Sequence, residues 1–599
     1  MSRLDSLDSK YAQVEPRAVD VPSLRRVMYA PASIHGHKKN VSGISEMSRY
    51  RAVLWCVVLS CALSLPWLGR PFHTRGEPRE ALVAQAMLDT GNWISPPAYD
   101  GAVPSKPPFS HWLISLASLP AGHVSEVSAR LPSALAFILF SAGFCAFLAS
   151  RVSPQVALSV VLVLLASFEW LRAASTCRVD TILATSMAGG MLALFAWWER
   201  GCRGLPWLAF ALISMSALTK GPVGIVLPVG IFALFSWVRA GCTWAAIIPI
   251  AIRCLTLAVA AAAVVAIWYV LGYLERGEEF IAKIRYENIE RFTSSMQDEP
   301  HKHSMWYLCG MLGVGLLPWS VFWLSAHLRI RMPNKENWPT IKAIKEWYRG
   351  LPDLYQFSAL VSVCVVGFFC IPASKRSVYV LPAFPFLALL LERALRDWLR
   401  ARPEAIRKGS QLFVALVIAL VLGTFGLMIV TIGYLGLSWS AFVESLTTLK
   451  VVSCSGLIVS CVWLVRGESS RFWREPLSQI ALAIIVGTAL GSFVSYDTAA
   501  HQISVREWVR SPQFASVVRP GIRTKMYSFG VEAYGASFYL HKPFSRLTGR
   551  VEPGAVVFLE RRKLPELSAL IGVQVKELSH HASGLDKPGR DTVVVEVAQ

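Results

Sequence analysis

A mainly α-helical, polytopic membrane bundle of about 13 spans, ending in a small C-terminal α/β extracytoplasmic domain, is the architecture this sequence predicts. Three observations predict it. Hydrophobic residues make up 54% of the 599 residues and charged ones only 16%, far from the roughly quarter-charged average of soluble domains. Apolar runs of about 18 to 22 residues, enough to cross a ~30 Å hydrocarbon layer as helix, recur through most of the chain. After Tyr496 these give way to short β-type runs, MYSFG, AVVFLE, VQVKEL and TVVVEVA, with LPELSALIG as a helix among them.

Residues 1–51 form a polar, basic segment with Arg25-Arg26 and Lys38-Lys39 and no early apolar region, so it is expected to be disordered and cytoplasmic, with the first span retained as an anchor. Residues 52–497 hold the spans, expected at Ala52–Leu68, Ala129–Ser150, Pro154–Leu171, Thr181–Trp198, Leu205–Leu218, Pro222–Val238, Cys254–Tyr273, Trp306–His327, Tyr355–Ile371, Val378–Leu395, Leu412–Gly433, Lys450–Val465 and Leu477–Tyr496. Residues 70–128 form the first outer loop, and 498–599 the C-terminal domain.

The net charge of +20 raises nucleic acid as a partner, but Lys and Arg are strung along the ends of apolar spans rather than gathered on one module. Membrane topology accounts for them better. The 12 cysteines lie mainly in or beside spans and form no CxxC pair, so buried small hydrophobes are expected.

Lys and Arg are retained on the cytoplasmic side. With the N-terminus inside, the inner loops carry Arg151, Arg200 and Arg203, Arg239, the cluster from Arg329 to Arg349, and Arg393 to Lys408. The outer loops then hold RGEPREA with SKPPF, CRVD, TKGP, the stretch from Glu275 to Met305, and ASKRSVY. An odd number of spans leaves the C-terminal domain outside, in the periplasm or its equivalent.

In the first outer loop, EALVAQAML has helical spacing, with Pro78 suited to the first turn and Gly91 to the stop. Glu77 beside that helix start is favoured by the helix dipole, so capping is its plain structural reading. Lys106 sits in PSKPPFSHW, an extended frame fixed by Pro107 and Pro108, and reads either as a snorkelling interfacial lysine or as an anion ligand.

GEPREALVAQAMLDTGNW followed by PSKPPFSHW resembles the first outer loop of lipid-carrier-dependent glycosyltransferases of the GT-C class, with bacterial aminoarabinose (lipid A) transferases nearer and protein O-mannosyltransferases more distant. The resemblance continues in order through CRVD, LTKGPVG, ENIERF, HKHSMWY, LLPW and SKRSVYVLP, covering roughly Pro66 to Pro385.

What the resemblance implies is an integral membrane enzyme moving a sugar, hexosyl or pentosyl, from a polyprenyl phosphate to a lipid or glycan acceptor at the outer face of a bacterial inner membrane, without nucleotide. The acceptor is expected to be lipid A, lipopolysaccharide or another glycolipid, with protein Ser/Thr as the alternative. Such chemistry needs a group to activate the acceptor and cations for the departing phosphate. Lys375, Arg376 and Tyr379 can surround one phosphate, and two cations in an outer loop run against the positive-inside tendency. Arg79, Lys106, Arg178, Lys220, Arg291 and His301 complete the expected contacts.

The family's first loop usually presents Asp-Glu, whereas this chain reads Gly76-Glu77, leaving Glu77 and Asp180 as alternative bases. His301 and His303 near Glu299 are weak evidence for a metal, and Ser105 stands where relatives often carry an acidic residue. No metal ligand is assigned, and a divalent ion stays an open alternative. The rival from another class, a lipid or solute transporter, calls for charges along a mid-membrane pathway, whereas these cluster at one interface. A non-catalytic lipid-binding protein on the same scaffold is the third reading, and Gly76 is its support.

Overall fold

The computed structural model describes residues 47–97 apart from Arg75, 106–287, 303–328, 341–400 apart from Ala373, most of 477–485, and 504–597 with short gaps. The expected spans Leu412–Gly433 and Lys450–Val465, and much of Leu477–Tyr496, lie outside the described residues, as do Arg291 and His301.

The helices, in chain order, are α1 (Arg49–Ser64), α2 (Gly76–Thr90), α3 (Phe109–Ser118), α4 (Glu126–Ala149), α5 (Pro154–Leu165), α6 (Phe168–Ala174), α7 (Val179–Glu199), α8 (Trp207–Lys220), α9 (Val223–Arg239) and α10 (Ile247–Arg276). There follow α11 (Glu278–Arg285), α12 (Tyr307–Gly315), α13 (Trp319–Leu328), α14 (Ile341–Gly350), α15 (Asp353–Cys370), a 3₁₀ turn Ser377–Ala383 and α16 (Phe384–Arg400).

Among the described residues six helical stretches are long and apolar enough to cross a membrane, or seven if the bent pair α5 and α6 counts as one span. Their starts are set locally. Ser48 and Ser153 accept from the backbone of α1 and α5, and Ser125 with Ser128 forms a reciprocal capping box at α4. The stretch around α7 is 83% buried against 28% for the one around α10, which puts α7 at the centre of the bundle and α10 at its rim.

Two expected spans are broken, each for a visible reason. Pro154–Leu171 bends by 75° between α5 and α6, where Ser167 adopts an extended backbone and the Phe168 amide donates to Leu317 O at 3.1 Å instead of continuing the helix. Trp306–His327 divides into α12 and α13 around Pro318, which lacks an amide donor and restricts Leu317 before it. The Trp319 indole then donates to Val163 O at 2.8 Å, pinning one break against the other. Two cysteines also depart from the buried expectation: Cys242 and Cys309 are exposed.

The two ends of the bundle differ. At the C-terminal end of α7, Glu199 pairs with Arg151, and nearby Arg239 of α9 pairs with Asp353 at the start of α15. At the N-terminal end of α7, Asp180 pairs with Lys220 from the end of α8, Arg178 lies beside Gly76 at the start of α2, and Lys220 reaches Tyr379 of the 3₁₀ turn, so the functional candidates gather there.

The C-terminal unit has helices α17 (Val505–Arg510), α18 (Pro512–Ala515), α19 (Tyr534–Leu540) and α20 (Leu564–Ile571) and strands β1 (Met526–Phe529), β2 (Ser545–Arg546), β3 (Val556–Glu560), β4 (Val575–His581) and β5 (Thr592–Val597). Its sheet runs β2-β1-β3-β5-β4, with β1 parallel to β2 and β3, and β5 antiparallel to β3 and β4. Because side chains alternate along a strand, Phe558 and Val594 enter one apolar cluster while Val557, Leu559, Val593 and Val595 enter another. Both faces are therefore covered, and the first of them extends through α19 toward α2.

Candidate active site

Glu77 and Glu80 lie one helical turn apart at the start of α2 and serve different partners. Glu77 is fully buried; its Oε1 accepts from Arg130 Nε at 2.8 Å and from the Cys177 amide at 3.1 Å. Its Oε2 accepts from the Thr74 hydroxyl at 3.2 Å and lies 3.5 Å from His73 Nδ1. Burial pushes the Glu77 carboxyl up, but the Arg130 charge, the His73 ring and these hydrogen bonds outweigh it and hold it below the usual carboxylate range. Arg130, also buried, donates further to the carbonyls of Leu68, Arg70 and Pro71. Together the pair staples the end of α1 and its following turn, the start of α2 and the irregular segment before α7.

Glu80 faces Arg79, Lys106 and His111. Its Oε1 accepts from Arg79 Nη2 at 2.8 Å and from Lys106 Nζ at 2.6 Å, and its Oε2 lies 2.8 Å from His111 Nε2. Burial raises the Glu80 carboxyl, while Lys106, Arg79 and His111 together hold it well below its ordinary value. Burial drives the Lys106 ammonium down from its ordinary value, with Glu80 pulling the other way. Lys106 also lies near enough to Asp180 for the two charges to act on one another.

Asp180, in the first turn of α7, accepts from Lys220 Nζ at 2.9 Å through Oδ1, and Arg178 Nε stands 3.8 Å from Oδ2. Lys220 is delivered by the last turn of α8, which stops at Gly221; there φ is +79°, a conformation that favours glycine. The Lys220 ammonium sits 4.4 Å from the centroid of the Tyr379 ring, a cation–π approach. Three segments separated by up to two hundred residues in sequence, CRVD, TKGP and SKRSVY, thus meet at one point.

Gly76 backs onto the same place, since a Cβ there would stand 3.2 Å from an Arg178 guanidinium nitrogen. A side chain at position 76 would therefore reach Arg178 directly.

Lys375 and Arg376 differ in their contacts. The Lys375 ammonium is buried and donates to the carbonyls of His303, at 3.1 Å, and Pro372. Arg376 Nε is buried and has no hydrogen-bond partner among the described residues. Beside it, the Ser377 hydroxyl donates at 2.8 Å to Glu169, which also forms a two-point pair with Arg172.

The structure thus brings Arg79, Lys106, Arg178, Asp180, Lys220 and Tyr379 together. Lys375 is turned onto backbone carbonyls and Glu77 into the Arg130 staple. Sequence reasoning did not single out Glu80, His111, Arg130 or Glu169 as site-building residues. For Arg130 and Glu169 a signal existed: charge within or beside an apolar span needs a partner and usually a purpose. Among the described residues no group of three or more His, Cys, Asp or Glu could hold a metal ion.

Around Asp180 and Glu80, four cations face two carboxylates. The cluster therefore attracts an anionic group, in a setting where burial strengthens each charge.

No protein-family model matches the chain. Over 441 residues it is 26% identical to the undecaprenyl phosphate-alpha-4-amino-4-deoxy-L-arabinose arabinosyl transferase of Edwardsiella ictaluri, covering 71% of this chain and 74% of that protein. It is 27% identical over 449 residues to the Pseudomonas aeruginosa protein of the same description, covering 73% and 74%. The fold is that of ArnT from Cupriavidus metallidurans, solved bound to undecaprenyl phosphate: the TM-score is 0.65 at 19% identity, over 92% of this chain and 99% of that one. These relatives and this fold fit the superfamily of lipid-carrier-dependent GT-C glycosyltransferases that the sequence motifs resemble.

Proposed function

We propose that the chain is an integral membrane glycosyltransferase that moves a sugar, of the aminoarabinose type, from a polyprenyl phosphate to lipid A or a related envelope glycolipid at the periplasmic face of a bacterial inner membrane. The observation that carries this reading is the meeting of Asp180, Lys220, Arg178, Lys106 and Tyr379 at one end of the apolar bundle. The similar arabinosyl transferases and the fold shared with a protein solved with undecaprenyl phosphate support it.

In the reaction, the bond between the sugar C1 and the phosphate oxygen breaks and an acceptor oxygen bonds to C1. Polyprenyl phosphate leaves with the electron pair. Lys106, Lys220, Arg178 and Arg376 can neutralise the charge that grows on that phosphate, in a site sheltered from water. If the acceptor is a hydroxyl, its proton goes to Asp180. Of Glu77, Glu80 and Asp180, Asp180 has the least committed oxygen, because Oδ2 meets Arg178 only at 3.8 Å. If the acceptor is a phosphate, it is already anionic and the cations alone align it.

Glu77 acts by holding the Cys177 amide, and hence the first turn of α7, in place. Tyr379 fixes Lys220 against its ring, and Glu80 with His111 orients Lys106. A mid-membrane transport route is not favoured, since the charges of α7 stand at its two ends, Asp180 and Glu199, and not along its middle. Residues 504–597 form the extracytoplasmic domain in this reading.

Mass spectrometry of envelope lipids from cells with and without the gene tests the proposal. An aminoarabinose-sized mass on lipid A that depends on the gene supports it. Loss of a sugar from protein Ser/Thr instead, or no change in any glycan, overturns it.

A further inference from the structure

The C-terminal unit does not merely follow the bundle; it touches the scaffold of the site. The Phe72 amide donates to the Tyr539 hydroxyl at 2.8 Å across 467 residues. The Phe538 and Phe72 rings lie 4.8 Å apart in a tilted contact, and Phe538 joins Ala81, Leu82, Ala84 and Cys177 in one apolar cluster. On its other side, the Phe72 ring meets the Arg130 guanidinium at 5.0 Å. Arg130 holds Glu77, Glu77 holds the Cys177 amide, and Asp180 lies three residues further on. A second tie, Arg506 to Glu126 at 3.2 Å, fastens the same unit to the start of α4, the helix that carries Arg130.

We propose that α19 of the C-terminal unit positions the reacting end of α7 through Phe538 and Tyr539, by way of Phe72, Arg130 and Glu77. The proposal rests on the glycosyltransferase reading for its catalytic consequence and on contacts alone for its mechanical one. Phe538 and Tyr539 touch no reacting atom in this scheme; they are positioning residues. The chain of contacts is continuous, and apart from the half-buried Tyr539 its members are buried, so releasing its outer end frees Phe72 and loosens the Arg130–Glu77 staple. Asp180 then samples positions away from Lys220, and small misplacements of a reacting group lower turnover steeply.

The test uses the full-length protein in nanodiscs as wild type and as Phe538→Ala, Phe538→Leu and Tyr539→Phe. Two quantities are read: transfer from undecaprenyl-phosphate-linked aminoarabinose to lipid A, and alkylation of Cys177 by N-ethylmaleimide followed by peptide mass analysis. Cys177 is buried in the same apolar cluster as Phe538 and supplies the amide that Glu77 holds, so its access reports the staple without any need for activity.

Phe538→Ala is expected to lower kcat about tenfold with KM for the donor within about twofold, and to speed Cys177 alkylation about tenfold through the same opening. Tyr539→Phe loses the hydroxyl that accepts from the Phe72 amide, and about threefold in kcat is expected. Phe538→Leu restores kcat to within about twofold, since it refills most of the apolar volume.

Unchanged Cys177 alkylation in both Phe538→Ala and Tyr539→Phe overturns the proposal. A rise in KM with kcat unchanged also overturns it, because the unit would then bind substrate rather than position α7. If wild type transfers no sugar, the glycosyltransferase reading fails and the Cys177 rates alone decide the mechanical claim.

Discussion

Glu77 and Asp180 are both buried carboxylates in the first turn of a helix, at the same end of the bundle, yet their surroundings assign them opposite tasks. Glu77 is saturated: Arg130, the Cys177 amide, Thr74 and His73 occupy its oxygens, and no part of it is exposed. Asp180 has one close partner, Lys220, and a second oxygen that Arg178 approaches without a hydrogen bond. What a buried carboxylate can do thus depends less on its position in a helix than on how many of its lone pairs are already taken. A filled one builds; a partly filled one can still receive a proton or a sugar hydroxyl.

The sharpest way to break this comparison is to remove the cation on the open side. Lys220→Ala is expected to lower sugar transfer by about 10²- to 10³-fold, the range seen when one preorganised charge-stabilising donor is lost. Its melting temperature should change less than that of Arg130→Ala. Steady-state transfer and a thermal melt on the same preparation check both halves.

On the closed side the loss should appear as stability. Glu77→Gln or Arg130→Ala breaks a buried pair, with an expected cost of about 3 to 5 kcal/mol, read as aggregation or a lowered melting temperature in detergent. Molecules that remain folded should lose kcat by about tenfold or somewhat more, as Phe538→Ala does by loosening the same staple, and by less than Lys220→Ala loses.

Acid sharpens the contrast further. Burial depresses His73 from its ordinary 6.5, and Glu77 and Glu80 are held below their ordinary 4.5. In each case the unfolded chain binds protons more readily than the folded one, so stability is present above the ordinary value and is lost as pH falls. Melting temperature should therefore begin to fall as pH drops through about 6.5, where unfolded His73 takes up its proton, and fall more steeply below about 4.5. Glu77→Gln should flatten the lower part of that curve. A melting temperature that rises on acidification contradicts the assignment.

The smallest effect is expected from an exposed pair. Arg561 and Glu577 pair in the C-terminal unit with both side chains about a third exposed, and Arg561→Ala should cost no more than about 1 kcal/mol and leave transfer unchanged. A large loss there would show that charge in general, rather than its burial, governs the molecule.

Much of the fold was legible because apolar length and turn residues are local properties. The runs over α4, α7 and α10 announce helices directly. The breaks at Ser167 and Pro318 were less legible, because the partner that receives the freed backbone, as Leu317 receives Phe168, lies far away in sequence. Site residues followed the same division. Lys106, Asp180, Lys220 and Tyr379 stand in short motifs whose order carries the family resemblance. Glu80, by contrast, read as one more residue of an interfacial helix, and its role depends on Lys106 and His111 arriving from residues 26 and 31 further on. Arg130 was visible as a charge at the start of an apolar span, but its partner Glu77, 53 residues earlier, was not. The departure at Gly76 was legible, but its neighbour was not: only the fold sets that glycine against the Arg178 guanidinium.

The most direct measurement is transfer per folded molecule by Asp180→Asn, in nanodiscs with undecaprenyl-phosphate-linked aminoarabinose as donor and lipid A and hydroxyl acceptors offered in parallel. A loss of at least about a hundredfold toward hydroxyl acceptors, with a melting temperature lowered less than that of Glu77→Gln, is the expected result. Wild-type transfer to every acceptor by that variant would contradict the division of labour between the two carboxylates.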